Sequence, residues 1–547
     1  MNVLARILRR FLGFKTAAFA LLICCGLLQA QPGPASVGQI PGERKGSQFR
    51  MEHWELAVPE NRHRPGARLI KLPLERITGA GDPQGVPVFW LGGGPGYSNL
   101  VGEVPLWAEG ILASHPIITL GYRGADGSVI LRCPEIAQAE QEPTGDLLGP
   151  RMRTRIHAAM ERSVARLRAE GVDLEGYSVA EVLEDIEAAR KALGYERIHV
   201  LGFSYGTRLA LLYAQRHPER VGRSLLVGVN PPGHFFFDPD LTDQVVQEYA
   251  RLWSQDKRRA AQCPDLAGAM RRVNQAMPKQ WLGLPIDPGK VRTLAFMLLY
   301  SRKSAPMVLD AYAAADRGDA SGLAALSMAM TLIGRRQGDK PMGDLYCKGV
   351  LDYQPGRNYA ADARRPGAIL GAPFSELVWG PLTEGCPWPE AQASEDLRRL
   401  QPSDVETLLV SGTLDISTPA QVATREVLPF LRHGRQIILP GKSHLDLFRE
   451  QPVAFQTLAV SFFNTGHGDD SGFANAPQDL GNGMRSPTLV KLLAAGLVLA
   501  AGVLGGLVWW LVKRVRRALA RRRARLTSPA ETRESKTSQR GRGLNQN

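Results

Sequence analysis

The segment of this 547-residue chain best suited to covalent chemistry is Gly202-Phe203-Ser204-Tyr205-Gly206. It follows an apolar run, Ile198 to Leu201, that reads as a buried strand, and it precedes a stretch from Thr207 with helical spacing. A serine on so tight a strand-to-helix turn has its hydroxyl thrust clear of the backbone, and flanking glycines remove side chains that would collide there. The helix start adds free N–H groups and a positive dipole end where an oxyanion would develop. The chemistry in view is attack of the Ser204 oxygen on an acyl carbon; the bland alternative, an ordinary loop serine, has no use for this context.

A serine nucleophile needs a base and a group that orients the base, and in this turn context they follow in the order serine, acid, histidine. Asp415, in Ser411-Gly412-Thr413-Leu414-Asp415 just past the apolar run Thr407 to Val410, is placed as the acid. His444, in Gly441-Lys442-Ser443-His444 just past Gln436 to Leu439, is placed as the base. Asp446 and His433 are the competing acid and base; Asp446 reads as a solvated loop carboxylate and His433 as a surface residue before the last strand. Oxyanion donors are expected from the backbone N–H of Tyr205 and from the loop Gly92-Gly93-Gly94-Pro95-Gly96, where Gly94 is the candidate because Pro95 has no N–H to give. A phosphate-binding loop is the rival reading of these glycines, but no Gly-Lys-Ser/Thr follows them.

The elements that must position these groups are legible as short apolar runs. Pro87 to Leu91, Pro116 to Leu120, Ile198 to Leu201, Ser224 to Val227, Thr407 to Val410 and Gln436 to Leu439 read as buried strands, with helical patterns such as Val179 to Leu193 and Arg208 to Gln215 between some of them. The alternation predicts an α/β fold, a mostly parallel sheet flanked by helices. Between about 240 and 395 the pattern turns helical, as in Arg292 to Tyr300 and Ala311 to Leu332, which predicts a helical cap inserted between two late strands; an independent helical domain is the alternative. The main domain is thus expected over 31–464. Residues 465–488, rich in Gly, Asn, Asp and Ser, read as a flexible linker.

The formal charge of +14 invites a nucleic-acid reading that its distribution removes. Residues 1–30 carry +4 and residues 513–547 carry +10, so 31–512 is neutral and no polyanion-binding face is expected. Residues 1–30 have a basic start and an apolar run, Ala17 to Leu28, too short to span a bilayer, and read as a signal peptide. Leu492 to Val512 is an uncharged 21-residue run with Trp509 and Trp510, followed by Lys513, Arg514, Arg516 and Arg517. This predicts a transmembrane helix over 489–512 and a basic cytoplasmic tail over 513–547, with the catalytic domain of a single-pass membrane protein on the periplasmic or extracellular side. Beyond the first thirty residues the cysteines are Cys133, Cys263, Cys347 and Cys386, an even number that allows up to two disulfides in an exported chain. Their spacings are not those of a zinc site, and no metal or cofactor is expected.

Over roughly residues 45 to 455 the chain resembles the proline iminopeptidase and tripeptidyl aminopeptidase family of α/β-hydrolases. Gly93-Gly94-Pro95-Gly96-Tyr97-Ser98 is similar to the family's oxyanion loop, Gly202 to Thr207 to its nucleophile motif, and Asp415-Ile416-Ser417-Thr418-Pro419 to its acid segment. The resemblance implies an α/β-hydrolase fold, cleavage at a free peptide N-terminus through an acyl-enzyme without a metal, and a bridge between Cys347 and Cys386. Glu376 and Glu384 are candidate anchors for a substrate amine, each set against a plain surface role. One departure stands out: where the family reads Asp-x-Arg-Gly-x-Gly-x-Ser, this chain has Gly121-Tyr122-Arg123-Gly124-Ala125-Asp126-Gly127-Ser128 and lacks the leading Asp. The same triad serves an extracytoplasmic carboxylesterase acting on small esters, which is the main alternative, and a non-catalytic membrane-tethered binding protein on this fold is the third.

Overall fold

Runs of consecutive apolar residues, unlike alternating ones, suit strands covered on both faces, and six such runs form the parallel part of one sheet. The computed structural model describes residues 49–336, 340–389, 395–474, 480 and 486–526. The strands of its main sheet are β1 (Arg50–Pro59), β2 (Leu69–Thr78), β3 (Val88–Leu91), β4 (Ile117–Leu120), β5 (Ile198–Phe203), β6 (Val221–Val227), β7 (Glu406–Gly412) and β8 (Gly434–Leu439). They lie in the order β1-β2-β4-β3-β5-β6-β7-β8. From β4 to β8 every pairing is parallel. The hairpin β1–β2 is antiparallel and joins β4 antiparallel, through Leu74 opposite Leu120. The mostly parallel sheet is as expected; the hairpin was not visible in the sequence, because β1 is largely exposed and so lacks a regular apolar rhythm.

Alternate residues of the central strands feed two apolar layers. Phe89, Ile118, Ile198, Val200, Leu226 and Leu409 join one with α1 (Val179–Ala192) and α2 (Tyr205–Arg216). Val88, Ile117, Leu201, Phe203, Leu225 and Val410 join the other, against Phe455, Leu458 and Phe462 further along the chain. Ser178 caps α1 by accepting from the Glu181 N–H.

Between β6 and β7 the chain leaves the sheet for a helical insertion: α3 (Pro239–Gln255), α4 (Leu266–Gln275), α5 (Pro288–Leu298), α6 (Ala305–Ala315), α7 (Ser321–Arg336), α8 (Met342–Gly349) and α9 (Pro373–Trp379). It carries its own buried layer, which includes Phe296, Tyr312 and Trp379. The expected single helix from Ala311 to Leu332 is two, because Gly318 at φ 90 turns the chain between α6 and α7. After β8, α10 (Pro452–Thr465) closes the second layer and ends at left-handed Gly466. The following 3₁₀ turn, Ser471–Phe473, buries Phe473 in that layer, so this part of the expected linker is docked.

Two further expectations are corrected. Cys133, Cys263, Cys347 and Cys386 are all thiols, so the implied Cys347–Cys386 bridge is absent. Burial first, then neighbouring Cys133 and Cys386, push the Cys347 thiol well above its ordinary value, and the Cys386 Sγ points its proton to the Trp388 carbonyl at 3.6 Å. At the C-terminal end, α11 (Ser486–Leu526) belongs to a separate unit that begins at Thr488. Among the described residues no helix is long and apolar enough to cross a membrane. The apolar run expected to span over 489–512 is instead the first part of a 41-residue helix that continues through Lys513, Arg514, Arg516 and Arg517, with no breaker where the basic tail was expected to begin. The signal peptide expected over 1–30 lies outside the described residues, as does the tail from 527.

Just beyond β4 sits the most heavily bonded cation of the domain. Arg123, fully buried, meets the Asp185 carboxylate through two bonds of 2.6 Å and Glu181 at 3.1 Å, and donates to the carbonyls of Glu60 and Gly176. Arg123→Met would strand the Glu60 and Gly176 carbonyls and leave Arg62 as the cation paired with Glu181 and Asp185, and is expected to lower the unfolding free energy by about 3–5 kcal/mol in urea titration.

Candidate active site

Ser204 lies between β5 and α2 with φ 53 and ψ −121, a backbone conformation that costs a non-glycine residue about 1–3 kcal/mol. Its surroundings hold it there. The Ser204 N–H donates to the Val227 carbonyl at 2.9 Å, and its carbonyl accepts from the Thr207 N–H at 2.9 Å and the Thr207 hydroxyl at 2.6 Å. Gly206 is required by space: a Cβ there would stand 1.9 Å from the Leu91 carbonyl oxygen. The turn therefore docks on the end of β3, the strand that feeds the Gly92–Gly96 loop.

The expected acid and base meet. The His444 Nδ1 lies 3.0 and 2.9 Å from the two Asp415 carboxylate oxygens, both residues being almost fully buried. Asp415 also accepts from the Ser417 N–H at 3.0 Å, the Thr418 N–H at 2.8 Å and the Thr418 hydroxyl at 2.7 Å, so its lone pairs are spoken for and its orientation is fixed. The imidazole packs between the Phe203 ring, at 4.8 Å, and the Tyr300 ring of the insertion, at 5.2 Å. Phe203 precedes Ser204, which brings the base up to the nucleophile turn. No hydrogen bond joins Ser204 to His444 among the described residues; in enzymes without substrate such contacts are commonly long.

The Gly92–Gly96 loop lies over Ser204, where a Cβ on Gly93 would stand 3.4 Å from the Ser204 Cβ. Both ends of the loop are pinned. The Gly92 N–H donates to the Asn99 Oδ1 at 2.6 Å, and the Gly96 N–H to the Asp344 Oδ2 at 2.8 Å. Among the described residues neither the Gly94 N–H nor the Tyr205 N–H donates to a protein acceptor, which leaves the two expected oxyanion donors available.

Comparison with known proteins agrees with this geometry. The α/β hydrolase fold family model matches residues 86–289. Serine protease Hip1 of Mycobacterium tuberculosis is 26% identical over 441 residues, covering 72% of this chain and 82% of that protein. Tripeptidyl aminopeptidase of Streptomyces lividans is 26% identical over 191 residues, 32% of this chain and 35% of that one. A probable proline iminopeptidase of Streptomyces coelicolor is 41% identical over 68 residues, 12% and 21% of the two chains. Residues 86–289 thus match the α/β hydrolase fold, and the chain is similar to peptidases of that kind.

The family departure at Gly121 has a local compensation in this hydrolase. A Cβ on Gly121 would stand 2.7 Å from the Asp126 Cβ and 2.9 Å from Pro73, so an aspartate side chain has no room. Asp126, five residues on, occupies the space. Its Oδ2 accepts from the Tyr122 N–H at 2.8 Å and the Asn99 N–H at 3.0 Å. Asn99 in turn holds Gly92, and the Tyr122 hydroxyl donates to the Gly92 carbonyl at 3.1 Å. Burial pushes the Asp126 carboxyl up while hydrogen bonds from Ser98, Asn99 and Tyr122 pull it down.

Sequence reasoning named Ser204, Asp415, His444, Gly94 and Tyr205, and missed the residues that hold them: Asn99, Tyr122, Asp126, Asp344 and Thr418. The available signal was the Gly121–Ser128 segment itself, which lacks the leading Asp of the family pattern and carries Asp126 five residues on. Asp446 overturns its expectation as a solvated carboxylate: it is buried and makes several hydrogen bonds. His433 is exposed before β8, as expected. Glu376 is committed to Arg292 and Arg364, and Glu384 accepts from the Thr154 hydroxyl at 2.8 Å. Asp126→Ala is expected to cost about 1–3 kcal/mol of stability by stranding two buried N–H groups. Because it loosens the loop that carries Gly94, steady-state kinetics should show kcat falling more than KM rises.

Proposed function

We propose that the protein is a serine peptidase that cleaves at the free N-terminus of peptides, with Ser204 as nucleophile. The observation that carries the proposal is the strained Ser204 turn beside an imidazole whose Nδ1 faces both Asp415 oxygens. With Nδ1–H directed to the carboxylate, the other ring nitrogen, Nε2, is left as the basic site. In this reading His444 takes the Ser204 proton as the oxygen attacks the scissile carbonyl, and the Gly94 and Tyr205 N–H groups stabilise the oxyanion. Collapse of the tetrahedral intermediate passes the proton to the leaving amine and leaves an acyl-Ser204 ester. Water, deprotonated by His444, then hydrolyses that ester and returns the proton to Ser204.

Aminopeptidase selectivity, of the proline iminopeptidase or tripeptidyl aminopeptidase type, is supported by the names of two relatives and by the oxyanion-loop and acid-segment motifs. It is the finer part of the proposal and has its own test. A fluorophosphonate probe is expected to label wild-type protein and not Ser204→Ala. Free aminoacyl or tripeptidyl amides should be hydrolysed and their N-blocked counterparts spared. His444→Ala and Ser204→Ala should each lower kcat by about 10³-fold or more. Hydrolysis of simple esters alone would replace the peptidase with an esterase, and absence of labelling would remove the serine-hydrolase reading altogether.

A further inference from the structure

Asp446 has an arrangement that catalysis by Ser204, Asp415 and His444 does not call for. It lies two residues beyond His444, is 4% exposed, and reaches out of the core domain into the insertion. The Ser301 hydroxyl donates to its Oδ1 at 2.9 Å and the Arg302 N–H to its Oδ2 at 2.8 Å. The Ser443 Oγ lies 2.6 Å from the same Oδ2 and 2.9 Å from the Tyr300 carbonyl, with one proton to share between them. The Tyr300 carbonyl also accepts from the Leu445 N–H at 2.8 Å. Residues 443, 445 and 446, on either side of the candidate base, are thus each bonded to the turn 300–302 that follows α5.

That turn also carries the ring that closes one side of the imidazole. Tyr300 meets His444 edge to face, and the Phe203 ring packs on the same imidazole. The placement of Tyr300 follows from the placement of its backbone, and Asp446 holds the next two residues, Ser301 by its hydroxyl and Arg302 by its N–H. A carboxylate suits this position because it presents acceptors only, and the groups aimed at it are an N–H and hydroxyls. Two ion pairs extend the same junction, from Arg302 and Lys442 to Glu450.

We propose that Asp446 is a positioning residue for the base: by clamping the turn Tyr300–Arg302 to the His444 loop, it fixes the imidazole between Tyr300 and Phe203. This rests on the reading of Ser204 and His444 as nucleophile and base. The contribution is to the rate of the chemical step and not to substrate affinity, since Asp446 is buried behind the base and lacks a path to substrate.

The test uses full-length protein, p-nitrophenyl butyrate as a substrate that makes no demand on an amine anchor, and exhaustive fluorophosphonate labelling to count competent Ser204. Asp446→Ala is expected to lower kcat per titrated serine by about ten- to a hundredfold, the scale of a misplaced catalytic group, with KM changed by less than about threefold. Asp446→Asn should recover most of that loss: its oxygen can serve Arg302 and Ser443, and its NH₂ can donate to Ser301, whose hydroxyl accepts as well as donates. Should Asp446→Ala not fold, Ser301→Ala removes one bond from the insertion side and is expected to lower kcat, again at unchanged KM. Turnover per titrated serine equal to wild type, in Asp446→Ala or in Ser301→Ala where only that variant folds, would overturn the clamp whatever the loss in melting temperature. Wild-type protein that fails to label would overturn the serine-hydrolase reading instead, so the two failures are told apart.

Discussion

At the carboxyl end of β3 the Leu91 carbonyl and the backbone of Gly206 come so close that a methyl group would stand 1.9 Å from the oxygen. This contact joins the turn that presents Ser204 to the loop that carries Gly94. It also dictates composition. Any side chain at 206 would drive α2 off β3, and the positive φ of Ser204 is tolerable only while α2 and β5 are both held. Seating β3 beside β5 in the parallel sheet, in register from Val88 with His199 to Leu91 with Gly202, places the two loops at the same edge. The remaining core packing keeps those strands in that register.

The loops around this contact are fixed by buried carboxylates and not by apolar packing. Asp415 orients His444, Asp126 holds Tyr122 and Asn99 under the Gly92 loop, Asp344 holds Gly96, and Asp446 holds the turn after α5. Irregular backbone has N–H groups with no ladder to join, and burying them unpaired costs about as much as a lost hydrogen bond each. A carboxylate can accept several at once, which an amide or hydroxyl does less well. The desolvation cost is met by nearby cations where the donors alone do not suffice. Asp344 is paired with Lys348, whose Nζ also donates to the Arg123 carbonyl at 2.9 Å, and burial holds that amine well below its ordinary value. Through Arg123 the loop support merges with the buried ion pairs to Glu181 and Asp185 on α1.

This division explains what the sequence disclosed. Strands covered on both faces announce themselves as apolar runs, and Ser204, Asp415 and His444 sit directly after such runs, so both were readable from local pattern and order. The β1–β2 hairpin was not, because β1 is largely exposed and carries no regular apolar pattern. Asp344 and Asp446 were not readable either, because their partners in the other part of the domain are 248 and 145 residues away in the chain. Local pattern gives Asp446 the look of a loop carboxylate, and only the folding of the insertion back onto the His444 loop turns it into a buried acceptor. The same holds for Cys347 and Cys386, whose pairing is a matter of interior geometry that residue spacing does not set.

The insertion therefore enters the site at two separate points, through α8 at the Gly92–Gly96 loop and through the turn after α5 at His444. A rigid outward swing would break the Asp344–Gly96 bond at one end and the Asp446 bonds at the other. Each broken bond that leaves a buried group unpaired costs about 1–3 kcal/mol, and the swing would also withdraw the Tyr300 ring from the imidazole. Movement of segments between the two fastenings costs none of these. Local displacement of the insertion, with α8 and the 300–302 turn left in place, is thus energetically cheaper than a rigid swing, and it leaves the contacts of His444 and of the Gly92–Gly96 loop intact.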